Sequence, residues 1–422
     1  MSEPAAALRT LAGHVASAGE RLYCAGPERR ARWLASAFAH LSRADSELGR
    51  EARSVLATGS GLSEPMVEWA LDSALSPLTF DVLRELEQSP RPPHPQALRA
   101  RPGRLCVIVL AGNVVTGAAR AVGLPLLFGW PVLAKASSGD DTLARLLEAA
   151  LAESDPELGD AYRVVTYAAG REELNVALFE QADVVAVYGS DHTVHSIRAQ
   201  LGATVGFIPH GHGLGVAFIA RGALAARETA QLAARGLALD VAAYDQRGCL
   251  SPHVAWVERG GLISPSHFAE LVHAELSLLR TTLPRGVLPI DAASAQLSWR
   301  GVGAMRGTLL EGDGFAVSFE DAGPLRVSPG YRNLQVIALD AAEQLPDKLA
   351  PLGVHLKCLG FVGASATHRD ELVRLAGALP TRVAPRVCTV GQMQRPPVHA
   401  LHDGLAPWDG LLQWTDCLTE PT

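Results

Sequence analysis

Over residues 4–89 apolar positions recur at three- and four-residue intervals, as in Arg32-Trp33-Leu34-Ala35-Ser36-Ala37-Phe38, and this spacing predicts helices throughout. The opening MSEPAAALRTLAGHVASAGE reads as a small amphipathic helix, not as a cationic stretch followed by an apolar run. Ser63-Glu64-Pro65 has the form of a helix cap with proline in the first turn. Residues 89–97, SPRPPHPQA, form a stiff proline-rich connector. The pattern then changes to short apolar runs at 105–111, 131–136, 163–167, 183–188 and 204–208, with helical periodicity between them at 142–153 and 191–200. Apolar strands alternating with helices predict a parallel sheet covered on both faces. Ligands of such sheets lie at the carboxyl ends of the strands. A further strand at 216–219, a helix at 223–234 and a turn-rich segment lead to Cys249. Beyond residue 285 the punctuation by glycine and proline predicts a strand-rich region, and 391–410 predicts loop.

Composition narrows the class of protein without naming a chemistry. The chain has 422 residues, 48% of them hydrophobic and 19% charged, which suits two or three domains and excludes a disordered or fibrous chain. A net charge of −7 argues against a dedicated nucleic-acid or anionic-membrane binder. The six cysteines (24, 106, 249, 358, 388 and 417) show no CxxC pairing, so neither a disulfide framework nor a zinc knuckle is indicated. Every apolar stretch is broken before 18 residues. A soluble, cytoplasmic protein is the expectation.

Five places carry candidate chemistry. Cys249, in Tyr244-Asp245-Gln246-Arg247-Gly248-Cys249-Leu250, has an arginine two residues before it and a glycine that allows close approach to the backbone. A free thiol is only about 3% thiolate at neutral pH, so the position is either an activated nucleophile or an inert buried cysteine. Lys135 interrupts an apolar strand in a chain with only three lysines, the others being Lys348 and Lys357. It can face a ligand crevice or snorkel to water. Gly189-Ser190 separates a strand from a helix, as a phosphate-binding turn or an ordinary N-cap does, and no GxGxxG accompanies it. Asn113 closes the first strand of the parallel series, where its amide can serve an oxyanion or simply a turn. His210-Gly211-His212 and His192-x-x-His195 have metal-like spacing, but the ligand set is partial and no metal is assigned.

Taken in order, these segments resemble the aldehyde dehydrogenase superfamily, and more closely its fatty acyl-CoA reductase (LuxC-like) branch. LAGN, a helix and then GWPVLAKASSGD are similar to the superfamily's strand-Asn-helix-Gly-strand-Lys stretch. VYGSD resembles its Thr-Gly-Ser turn, YDQRGCLSPH the branch's cysteine motif, and GQMQRPPVHALHDG its C-terminal signature. The likeness runs from about residue 100 to 415.

The resemblance implies an α/β, aldehyde-dehydrogenase-like fold. It divides into a helical segment and connector (1–97), a parallel-sheet NADP-binding domain (98–220, with the tail 395–422) and a second α/β catalytic domain (221–394) carrying Cys249. It implies that Cys249 is the nucleophile and that Asn113, with the Cys249 backbone N–H, forms the oxyanion hole. Lys135 would contact the adenosine ribose, with Gly189 and Ser190 near the pyrophosphate. NAD-preferring relatives carry a glutamate three residues after that lysine. Here the residue is Ser138, which leaves room for a 2′-phosphate and predicts NADPH. Where hydrolytic relatives have Glu-Leu-Gly-Gly, this chain has Pro209-His210-Gly211-His212, with no carboxylate to activate water, and His210 becomes a candidate base or proton donor. His253 stands where the reductases usually have glutamine. The expected activity is NADPH-dependent reduction of an acyl-CoA or carrier-protein thioester to the aldehyde. The alternatives are oxidation of aldehyde to acid, a binding protein that does not use its thiol, and a hydrolase with a metal at His210 and His212. A homo-oligomer is expected from the superfamily alone.

Overall fold

The computed structural model describes residues 2–112, 114–137, 139–364, 366–379 and 385–417. Six helices (Glu3–Ser17, Gly19–Cys24, Gly26–Ser42, Glu47–Ser60, Glu64–Leu75 and Phe80–Gln88) fill the N-terminal stretch as the spacing predicts. Ser63 caps the fifth, its hydroxyl accepting the Met66 N–H, a contact worth about 1 kcal/mol. The third buries Trp33, Leu34, Phe38 and Leu41, and the Trp33 indole donates to the Leu151 carbonyl at 2.8 Å. Its Arg30 is also buried, donating to the carbonyls of Leu127, Leu22 and Tyr23 and lying 3.8 Å from Glu87. One guanidinium therefore ties the helical segment to the sheet unit that follows.

After the connector, β1 (Ala97–Arg99) is followed by five strands: β2 (Cys106–Val109), β3 (Val132–Ala136), β4 (Tyr162–Thr166), β5 (Val184–Tyr188) and β6 (Gly206–His210). These five pair in parallel in the order β4-β3-β2-β5-β6. Their near-continuous apolar runs are what a sheet covered on both faces requires. The chain reverses direction across the sheet between β2 and β5, so the crevice opens beyond Val109 and Tyr188.

The remaining strands are β7 (Leu214–Ile219), β8 (Pro252–Glu258), β9 (Thr308–Gly312), β10 (Phe315–Glu320), β11 (Asn333–Leu339), β12 (Leu356–Val362), β13 (Arg386–Thr389) and β14 (Trp414–Asp416). Seven of them form a second sheet in the order β13-β12-β7-β8-β11-β10-β9, parallel except for the β9 edge. β14 returns to pair antiparallel with β1. The strand at 216–219, drawn above with the 98–220 unit, is β7 and hydrogen-bonds in this second sheet, so the crossover between sheets falls at 211–213. Glycine permits that crossover: a Cβ on Gly213 would lie 2.3 Å from Lys357 Cγ and 2.6 Å from the His355 carbonyl.

The strand-rich expectation for the C-terminal part holds for β9 to β14, but one element departs from it. Beyond residue 285 the chain first forms a 17-residue helix, Ile290–Arg306. Its buried positions are Gln296, Trp299 and Gly303, while Ile290, Leu297 and Met305 point outward at 75–90% exposure. The apolar periodicity therefore reports the wrong face, and the helical signal is hidden. Another helix, Pro265–Thr282, was not assigned from the sequence. Residues 391–410 are loop and turn, as expected. No helix among the described residues is long and apolar enough to cross a membrane.

Candidate active site

Cys249 lies in the turn just before β8, half-buried between the two sheets. Two cavities meet at it. One, of about 240 Å³, is mainly apolar and is walled by Pro77 and Leu78 from the turn between the fifth and sixth N-terminal helices, Leu110, Val114 and Ala121 around the helix Gly117–Leu127, and Val398 from the tail. The other runs along the carboxyl ends of the parallel strands, past Gly189, Ser190, His210 and Gly211, to Ser328 and Gly330. The helical segment, which carried no motif, thus contributes a wall of the apolar cavity.

The backbone approaching Cys249 is strained. Tyr244, Asp245 and Gln246 are all left-handed, with φ of 52°, 51° and 60°. Each such non-glycine residue costs about 1–2 kcal/mol, so the surroundings must hold it in place. The Tyr244 hydroxyl pairs with Thr116 Oγ1 at 2.9 Å. The Gln246 amide donates to the carbonyls of Pro252 and Asn333 and accepts the Asn333 N–H at 2.7 Å.

Burial pushes the Cys249 thiol above its ordinary pKa; the Lys357 ammonium works against that shift and the Asp403 carboxylate adds to it. At rest the proton therefore stays on sulfur. His210, the last residue of β6, stacks between Tyr188 (ring centroids 4.3 Å apart) and His402 (4.1 Å). Desolvation, with His402, Lys357 and Arg120 nearby, drives its pKa down to about 2, and its Nδ1 is buried without a hydrogen-bond partner. It is a neutral imidazole at working pH.

The metal-like spacing does not assemble as the sequence suggests. His212, His192 and His195 are exposed, and His195 Nδ1 lies 2.8 Å from the Asp191 carbonyl. The ligating atoms that do converge, within 4.8 Å of one another, belong to His210, His402 and Asp403. The two rings are stacked at 19°, so their in-plane lone pairs run nearly parallel instead of meeting at one ion. Asp403 is already held by Lys357 Nζ at 2.8 Å.

On the parallel sheet, Lys135 is the penultimate residue of β3, half-buried, its pKa lowered by burial, with Nζ 5.2 Å from the Tyr167 ring. Ser190 is the N-cap of Asp191–Arg198 and accepts the Thr193 N–H at 3.2 Å. That reading and a place on the ligand crevice hold together. Asn113 and Ser138 lie outside the described residues. Sequence reasoning missed Lys357, His402 and Asp403 as members of the site. The last two lie in the C-terminal HALHDG, and the rarity of lysine is the sequence signal for the first.

The architecture is that of an aldehyde dehydrogenase-like protein. It is similar to an indole-3-acetaldehyde dehydrogenase of P. syringae in complex with NAD+ and IAA (16% identity, 97% of this chain and 88% of that one, TM-score 0.76). It is similar to an aldehyde dehydrogenase from Brucella melitensis biovar abortus 2308 (14%, 97% and 89%, TM-score 0.76). It is also similar to bifunctional proline utilization A, of which it spans less than half (18%, 98% and 44%, TM-score 0.71). None of the curated proteins matches the chain. The family is given by the sequence: residues 45–414 match the acyl-CoA reductase (LuxC) family, and the chain belongs to it. It is an oxidoreductase of acyl or aldehyde groups.

Proposed function

We propose that the protein reduces an acyl-CoA or acyl-carrier thioester to the aldehyde with NADPH, through a Cys249 acyl-enzyme. The observation that supports this most is the position of Cys249 on the wall shared by an apolar cavity and a strand-end crevice. A thiol so placed can meet an acyl carbonyl from one side and a reductant from the other. A nicotinamide nucleotide suits that crevice: glycines 189, 211 and 213 line it without side chains, a capped helix N-terminus faces it, and Lys135 stands near the end of β3. Gly189 and Ser190 would take the pyrophosphate, Lys135 the adenosine ribose, and Ser138, a small residue where NAD-preferring relatives carry glutamate, would admit a 2′-phosphate. When bound, the reduced nucleotide supplies a hydride.

The remaining chemistry belongs to the chain. Cys249 attacks the thioester carbonyl, its proton passing to the unpartnered Nδ1 of the neutral His210. Because burial raises the thiol and depresses the imidazole, the transfer is driven by consumption of the thiolate in the attack on the carbonyl. Asn113 and the Cys249 N–H hold the tetrahedral oxyanion, and the acyl group moves to sulfur as the CoA thiol leaves. No carboxylate occupies the 209–212 stretch to activate water, so the acyl-enzyme persists until it is reduced. The resulting thiohemiacetal collapses to aldehyde and free Cys249.

The test is NADPH consumption with acyl-CoAs of graded length and with carrier-protein thioesters, the aldehyde being trapped as a hydrazone. Aldehyde formed in proportion to NADPH lost, and absent with Cys249→Ala, is the expected result. No consumption with either substrate class, or acid formed from added aldehyde, overturns the proposal.

A further inference from the structure

Among the described residues only six non-glycine residues are left-handed: Tyr244, Asp245, Gln246, Tyr331, Arg332 and Asp403. Five of them lie in two short segments that interlock. Asp245 and Arg332 form a fully buried ion pair, with Arg332 Nε and Nη2 at 2.9 and 2.7 Å from Asp245 Oδ1. The other carboxylate oxygen of Asp245 accepts the Gly286 N–H at 2.9 Å, and Arg332 Nη1 donates to the Leu283 carbonyl at 2.7 Å. The Tyr331 N–H donates to the Asp245 carbonyl at 2.9 Å, and Gly330 packs so closely that a Cβ there would stand 3.3 Å from the Gln246 carbonyl. One segment leads three residues on to Cys249. The other begins with Ser328 and Gly330, which line the strand-end crevice. Ser328 Oγ also lies 2.9 Å from His253 Nδ1, just past the cysteine.

We propose that the Asp245–Arg332 pair positions the nucleophile: it clamps the cysteine loop to the 328–332 loop, so that Cys249 and the cofactor wall hold one fixed relation. The inference rests on reading Cys249 as the nucleophile. Left-handed backbone at five non-glycine residues relaxes unless something over-determines it. A buried carboxylate that accepts from Arg332 Nε at one oxygen and from the Gly286 N–H at the other, with the guanidinium charge against it, is a clamp of that kind. Neither side chain lines either cavity, so both act through the backbone they hold.

Two variants test the clamp: Asp245→Asn, and Asp245→Asn combined with Arg332→Gln, which leaves no unpaired buried charge if the single change fails to fold. Each is assayed for acyl thioester turnover, for the Michaelis constant of NADPH, and for the pH profile of Cys249 alkylation by iodoacetamide, followed on its peptide by mass spectrometry. We expect turnover to fall about 10²-fold, as misplacing a reacting group by an ångström does. The Michaelis constant for NADPH should stay within about twofold, as a shift confined to the reacting thiol requires. The alkylation midpoint should move down toward that of an ordinary thiol as water reaches the sulfur. Buried Cys106 is the internal control. Folded variants with parental turnover and midpoint overturn the proposal, as does labelling of Cys106 that rises in step with Cys249, which reports general loosening. If the parent reduces no thioester, the proposed activity fails, while the alkylation profile still decides whether the clamp positions Cys249.

Discussion

The apolar cavity makes a quantitative prediction about acyl chain length. At about 240 Å³, and with roughly 30 Å³ for a group the size of a water molecule, it holds about eight methylenes. Each methylene taken out of water contributes about 0.8 kcal/mol, so kcat/KM should climb roughly fourfold per carbon until the cavity is full and then level off. Ala121, buried on the helix Gly117–Leu127, forms part of the wall. Ala121→Leu adds three carbons at that point and should remove about three methylenes of space. For chains that fill the parent cavity the loss is about 2.4 kcal/mol, roughly a 60-fold fall in kcat/KM. For acetyl-CoA, which does not reach the wall, the change should stay under about twofold, because nothing it contacts is altered. The assay is kcat/KM for a ladder of saturated acyl-CoAs, from two to sixteen carbons, with parent and variant side by side. A uniform loss at every length would mean that the substitution strains the helix. No loss at long lengths would mean that the acyl chain lies elsewhere; either result refutes the reasoning.

Four further outcomes are expected. Cys249→Ala should abolish turnover while NADPH still binds, as titration of nucleotide fluorescence will show; equal loss of both would remove Cys249 as nucleophile. Ser138→Glu should shift the ratio of kcat/KM values toward NADH, and an unchanged ratio would remove the 2′-phosphate argument. Arg30→Leu should cost about 1–3 kcal/mol in urea unfolding, because it strands three carbonyls in the interior while Glu87 keeps its ion pair with Arg99, whereas exposed Arg32→Leu should cost under about 1 kcal/mol. Burial lowers His253 to about 4, so between its unfolded value of about 6.5 and pH 4 the unfolded chain binds the extra proton and stability falls as pH falls. In that window His253→Gln should flatten the slope of unfolding free energy by about 1.4 kcal/mol per pH unit, and an unchanged slope would show that His253 does not titrate with unfolding.

Local sequence determined more of the fold than of the site. The helical N-terminus, the Ser63 cap, the five parallel strands and the loop at 391–410 each follow from periodicity or cap chemistry within a window of a few residues. Residue type at strand ends and turns marks Cys249, Gly189, Ser190 and His210, and the strand-end geometry of a parallel sheet draws these four to one crevice, with Lys135 near the end of β3 outside its lining. The helix Ile290–Arg306 escaped because it buries Gln296 and Gly303 and exposes its aliphatic residues, which only its packing partners reveal. Lys357, His402 and Asp403 join the site from segments more than a hundred residues beyond Cys249 or His210, and no local pattern encodes which rings will stack or which charge a thiol will feel. The left-handed run at 244–246 is of the same kind: nothing in Tyr-Asp-Gln favours that backbone, and it persists because Arg332, Asn333 and Thr116 reach it from distant parts of the chain. Sequence set the elements, through interactions a few residues long. Tertiary structure set the protonation and placement of the reacting groups, because burial and long-range charge exist only once the chain has closed on itself.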